Sequence, residues 1–240
     1  MLRFAWLLLL VLPPCLATAD SAAELKPYDA VYSSKLKGFK VRVKRHLQVE
    51  NDKLTVSIRI RKLWFSLAES SVLEFHDDGR LYPATYSHKR RGTSHDHDKE
   101  LVFDWAECTV IDLLKPARNP LPVDKPAYDT LGYQAQMRLD LMHDPELQHA
   151  EYSVTNGFRN RVYSFYRLSE EVLDTPLGKL NTIKFERAGD DDGRQVFVWV
   201  APDWDYLLVR IDQVKKPGAK AERLLLLRAD IAGRPVEAIE

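Results

Sequence analysis

Apolar and polar residues alternate along most of this chain, which is the pattern of strands with one buried and one wet face. From Phe39 onward, Val41, Val43, Leu47 and Val49 interleave with Lys40, Arg42, Lys44, His46 and Gln48. The period resumes after "END", with Leu54, Val56, Ile58 and Ile60 set against Thr55, Ser57, Arg59 and Arg61. A two-residue Asn51-Asp52 loop preserves the parity of both strands and places Lys44 opposite Arg59 and Arg42 opposite Arg61. The same reading predicts strands over 71–76, 81–88, 101–105, 151–155, 161–168, 180–187 and 223–231, with turns at "DDGR", "TPLG" and "GDDDG".

Two regions depart from simple alternation. In "RQVFVWVAPDWDYLLVRIDQ" (194–213), the first of two strands around a Pro-Asp turn is apolar on both faces. Phe197 and Trp199 point one way, and Val196, Val198 and Val200 point the other. In the middle, Pro116, Pro120, Pro122 and Pro126 make an extended connection over 115–128. Asp129 then caps a helix over 130–143, with Pro145 beyond its end. Tyr133, Met137 and Leu141 form its clearest apolar stripe, helped by Leu131 and Ala135. The predicted fold is mainly β: a strongly curved antiparallel sheet, an open barrel or β-spiral, with one principal α-helix packed on it. A helix on one face accounts for a strand that is apolar on both sides.

The first nineteen residues stand outside that fold. Arg3, the apolar run from Phe4 to Leu12, Pro13-Pro14 and the small residues Ala17-Thr18-Ala19 read as a cleaved signal peptide, 1–19, followed by a single β-rich domain, 20–240. The apolar run is shorter than the roughly 20 residues of a membrane span. The expected location is therefore periplasmic, with no transmembrane anchor after cleavage. Cleavage removes Cys15 and leaves Cys108, beside Trp105, as a lone thiol expected to be buried. It also leaves 34 basic and 35 acidic residues, a balance that gives no signature for nucleic acid.

Six stretches, in order, carry a resemblance. They are "DAVYSSKLKGFKV", "GRLYPATYSHKRRG", "FDW", "YDTLGYQAQMRL", "SFYRLSEEVLDTPLGKLNTIKFER" and "VFVWVAPDWDYLLVRID". Together they resemble the bacterial envelope proteins grouped as domain of unknown function 3108, over roughly 28–230. The resemblance implies a secreted or periplasmic β-rich protein related to open barrels and β-spirals of lipoprotein carriers. It implies no catalytic residues.

Chemistry is sparse in the sequence. In "HKRRGTSHDHDKE", His95 and His97 with Asp96 or Asp98 have metal-ligand chemistry, but the charged, Gly-containing run reads as a solvated hairpin tip, and no metal or cofactor is expected. There is no GxSxG, Walker or dinucleotide motif. Asp203 and Asp205 flank Trp204 but read as turn residues. Two binding features stand out instead. Lys40, Arg42, Lys44, Arg59 and Arg61 share one face of a hairpin, where like charges repel unless acids such as Glu74 or a bound anion offset them. The aromatic set Trp64, Phe65, Phe103, Trp105, Phe197 and Trp199 falls on predicted strands, as core or as the lining of a ligand pocket.

These features support a non-enzymatic envelope protein that binds a lipid, an anionic envelope component, a glycan or a protein partner on a curved β scaffold. The competing readings are an envelope-polymer hydrolase whose site is not visible in the sequence and a purely structural interaction module. A binder predicts an apolar cavity or groove beside the basic face. A hydrolase predicts converging polar groups in a cleft.

Overall fold

The computed structural model describes residues 25–239 apart from 37, 93–96, 119, 189–193 and 217, so the predicted leader lies outside the described residues. One antiparallel sheet dominates the fold. Its strands are β1 (Tyr28–Leu36), β2 (Phe39–Glu50), β3 (Lys53–Lys62), β4 (Phe65–Phe75), β5 (Leu81–Arg91), β6 (Lys99–Asp104), β7 (Thr109–Asp112) and β8 (Leu121–Pro122). A single α-helix, α1 (Gly132–His143), separates these from β9 (His149–Thr155), β10 (Asn160–Thr175), β11 (Gly178–Arg187), β12 (Gln195–Ala201), β13 (Leu207–Val214), β14 (Glu222–Ile231) and β15 (Arg234–Pro235).

The spatial order is β8-β7-β6-β5-β4-β3-β2-β1-β14-β13-β12-β11-β10-β9, with β15 added on β14. Two meanders thus meet where β1 pairs with β14, and the outer strands β8 and β9 remain edges. Strand twist curls these edges toward each other. The chain after β8 stitches them together: the Tyr128 N–H donates to the Ser153 carbonyl at 2.8 Å, and the Thr155 N–H donates to the Tyr128 carbonyl at 2.8 Å. The fold is an open, strongly curved sheet rather than a closed barrel.

Alternation places the hairpin as expected. Val41, Val43, Leu47, Leu54 and Val56 are buried, while Lys40, Arg42, Lys44, Arg59 and Arg61 are exposed. Asn51 and Asp52, at φ 48° and 62°, form the two-residue left-handed turn that holds Lys44 opposite Arg59. Several boundaries differ from expectation. β4 begins six residues before the predicted start at 71, and β10 runs seven beyond the predicted end at 168, because serines and glutamates there interrupt the apolar period that marks a strand. β1 and β7 add strands that the pattern reading did not mark. Trp64 and Trp105, expected on strands, lie in turns.

The helix also differs from its predicted form. It begins at Gly132 rather than 130, yet Asp129 still serves its N-terminus, accepting from the Leu131 and Gly132 N–H groups at 2.8 and 2.9 Å. Its predicted apolar stripe is only part of what it buries. Ala135, Gln136, Met137, Arg138, Leu139 and Leu141 are all buried, so no face is left to solvent over those turns. The reason is placement: α1 lies inside the curl of the sheet. Gln134 accepts from Arg45 of β2, Gln136 accepts from the Leu81 N–H of β5, Tyr133 stacks on Phe165 of β10, and Tyr152 of β9 donates to Asp140.

The doubly apolar strand β12 fits this arrangement. Val198 and Val200 face α1 across a small cavity that Met137 and Leu141 also line. Trp199 points outward and is nevertheless only 4% exposed. Its cross-strand neighbours Lys184 and Arg210 lie over the indole at 5.1 and 4.3 Å, and its ring N–H donates to Glu171. Long charged side chains supply the second cover, by cation–π contact and stem packing.

Candidate functional site

Antiparallel register brings the β1–β2 turn, the β3–β4 turn and the β13–β14 loop to one end of the sheet. There the chain exposes apolar side chains that nothing covers. Leu63 is fully exposed, while Phe39 is 59% and Trp64 55% exposed; the rings of Phe39 and Trp64 meet edge to face at 6.3 Å. The tip is braced from behind. Gly92, at the end of β5 with φ 82°, passes so close that a Cβ would stand 1.9 Å from the Trp64 carbonyl oxygen, which excludes any larger residue there.

Beside this tip runs an open groove of about 1320 Å³ on the outer face of β14, β1, β2 and β3. Ser33, Leu225 and Leu227 line its floor, with Lys35, Lys40, Arg42, Arg61, Lys62 and Lys220 around it. None of these six cations has a carboxylate partner among the described residues. A seventh, Arg223, is already committed to Asp212 at 2.9 Å. Burial pushes the Asp212 carboxyl up, but Arg210 and Arg223 outweigh it and hold its pKa down to about 2. Turns at the opposite end expose Asp52, Asp77, Asp78, Glu107, Asp144 and Glu146 beside Lys53 and Arg80.

The structure thus brings Lys40, Arg42 and Arg61 into one groove. It places Lys44 and Arg59 as cross-strand neighbours farther along the same face. Glu74 does not reach them; it pairs with Lys53 at 3.0 Å. The aromatic residues do not converge. Trp64 is on the exposed tip with Phe65 buried behind it, and Phe197 and Trp199 are on the outer face of β12. Trp105 stacks on Phe103 at 5.4 Å and donates to the Pro83 carbonyl at 2.8 Å. Cys108, expected buried, is half-buried at φ 51° in the turn after β6. His95 and Asp96 lie outside the described residues. Among the described residues no group of three His, Cys, Asp or Glu side chains is placed to hold a metal.

Two polar groups inside the curl escaped the sequence reading. At the basic end of the interior, a pocket of about 310 Å³ contains Glu69, His88, Arg90 and Lys99. His88 Nδ1 lies 2.7 Å from Glu69 Oε1, and Arg90 Nε donates to His88 Nε2 at 2.8 Å. Both imidazole nitrogens are therefore engaged, and the ring is a link in a chain rather than a free base. Deeper in, Arg45 and Arg138 are 4% and 5% exposed and line one cavity with Tyr28 and Tyr133. The signal for Arg45 was present: it occupies an inward position of β2, between Val43 and Leu47, where alternation calls for an apolar residue. Arg138 gave no such signal, because on a helix buried all round no position marks the inside.

Comparison with known proteins agrees with this architecture. The family described as "Protein of unknown function (DUF3108)" matches residues 28–223. No curated protein matches the chain. Among solved structures, a beta-barrel-like protein of the DUF1849 family from Brucella abortus superposes with a TM-score of 0.58 at 9% identity, covering 86% of this chain and 98% of its own. A "putative lipoprotein" from Parabacteroides distasonis aligns with a TM-score of 0.31 at 9% identity, covering 86% of this chain and 96% of its own. The Brucella protein shares the fold.

Proposed function

This chain belongs to the DUF3108 family, and we propose that it is a non-enzymatic envelope protein, exported by its leader to the periplasm, that docks on an anionic phospholipid surface. One observation carries the reading: six cations without a carboxylate partner among the described residues adjoin an uncovered tip of Phe39, Leu63 and Trp64. Aromatic rings favour the membrane–water interface, and basic side chains near an anionic leaflet contribute about 1 kcal/mol each. The engaged imidazole of His88 supports binding rather than acid–base work.

The test is flotation of the mature chain with vesicles of phosphatidylglycerol and phosphatidylcholine, against phosphatidylcholine alone. Binding is expected only to the anionic vesicles, declining as salt is raised. The double substitution Arg42→Gln with Arg61→Gln removes about 2 kcal/mol of attraction, so binding weakens roughly 30-fold. Trp64→Ser is expected to abolish the blue shift of tryptophan emission on binding. Equal binding to neutral vesicles, or none to either, would exclude the proposal. Capture of a protein by the same face, with no vesicle binding, would assign the surface to that protein instead.

A further inference from the structure

The interior arginines require a separate explanation. Arg45 donates from one terminal nitrogen to Gln134 Oε1 at 2.6 Å, and its Nε has no partner. Arg138 donates from Nε to the Asp205 carbonyl at 2.5 Å, and neither of its terminal nitrogens makes a hydrogen bond. Among the described residues the carboxylate near Arg138 is Asp205, whose Oδ2 lies 3.9 Å from Arg138 Nη2 and 3.3 Å from Lys26 Nζ. Tyr133 and Tyr32 carry no charge near neutral pH, since burial pushes Tyr133 up to about 12 and Tyr32 further. Arg138 thus shares one carboxylate with a lysine and otherwise meets the Tyr28 ring at 5.0 Å, while Arg45 has no carboxylate partner among the described residues. Uncompensated buried charge is among the most destabilising arrangements in a core.

The cavity between α1 and the strands supplies the missing term. It measures about 40 Å³, is lined by both arginines and Gln134, and is otherwise walled by aromatic and aliphatic groups such as Tyr28, Val198 and Leu208. That volume accommodates only a few heavy atoms. We infer that Arg45 and Arg138 form an internal binding site for a compact monoanion, a halide or a formate-sized carboxylate, held by the guanidinium donors left over from Gln134 and Asp205. Such a ligand offsets one of the two charges and completes the core on the side of the helix that faces β12 and β13. This site is inside the sheet, remote from the outer groove, and is independent of the docking proposal.

The probes are sodium bromide and sodium formate, with sodium gluconate as an anion too large to enter, all at equal ionic strength. Thermal unfolding of the mature chain is expected to shift up by about 3–5 °C for each tenfold rise in bromide beyond half-saturation, since only the folded state binds. Formate is expected to act likewise, and gluconate not at all. Arg138→Met, which keeps the stem and removes the donors, is expected to lose the dependence, while Arg42→Gln with Arg61→Gln retains it. A bromide-soaked crystal is expected to show an anomalous peak between the two guanidiniums. The same unfolding temperature in all three salts would overturn the inference, as would a bromide dependence that survives in Arg138→Met. Should Arg138→Met fail to fold, the anomalous peak in the unsubstituted protein decides alone. Its absence from the cavity overturns the site.

Discussion

Leu139→Ala is expected to lower the stability of the folded chain by about 3–5 kcal/mol, the upper part of the range for emptying a close-packed site. Leu139 is 0% exposed and sits on a helix that the sheet encloses, so surrounding strands cannot close on the void without breaking their ladders. For a domain of this size that loss corresponds to a fall in Tm of about 6–20 °C. Urea unfolding, with an unchanged slope, measures it. A loss under about 1 kcal/mol would mean that α1 is peripheral, contrary to its placement inside the curl. Gln136→Leu is a useful companion. It fills the same space but orphans the Leu81 N–H, which Gln136 accepts at 2.7 Å, and is expected to cost about 1–3 kcal/mol despite being more hydrophobic.

The second large effect depends on pH. Asp129 is 0% exposed, and burial raises its pKa from 3.8 to about 6, even though Ser71 and the Gly132 and Leu131 N–H groups all favour its ionised form. A carboxyl with a raised folded-state pKa binds its proton more tightly when folded. Its contribution is therefore fully present below the unfolded pKa and is lost as pH rises through about 6. The shift corresponds to about 3 kcal/mol, lost between about pH 4 and pH 6. Other carboxylates, Asp212 among them, act in the opposite sense at lower pH, so the measurement must be differential. The stability of the unsubstituted chain minus that of Asp129→Asn is expected to fall by about 3 kcal/mol from pH 3.5 to pH 7. A flat difference would show that ionised Asp129 is fully compensated by its three hydrogen bonds. Asparagine can still accept from both helix N–H groups, so the comparison isolates charge from capping.

Much of the architecture follows from the sequence because strand parity is a local property. Alternation at 39–61 identified the hairpin, the two-residue turn at Asn51-Asp52 and the outward face of Lys40, Arg42, Lys44, Arg59 and Arg61. Asp129 marked the start of the helix because capping chemistry involves only the next few residues. Among the described residues no helix is long and apolar enough to cross a membrane.

What the tertiary structure alone decided is where separate parts of the chain meet. Lys35, Arg61 and Lys220 are far apart in sequence and share one groove only because β1 pairs with β14 and β2 with β3. A balanced count of charges cannot report that cations gather beside an apolar tip at one end of the sheet. Nor can it place Arg138, since a helix enclosed on every side carries no amphipathic signal, and its arginine meets Arg45 only across the curl of the sheet. Patterning fixes which way each side chain faces relative to its own strand. Long-range pairing determines what it faces.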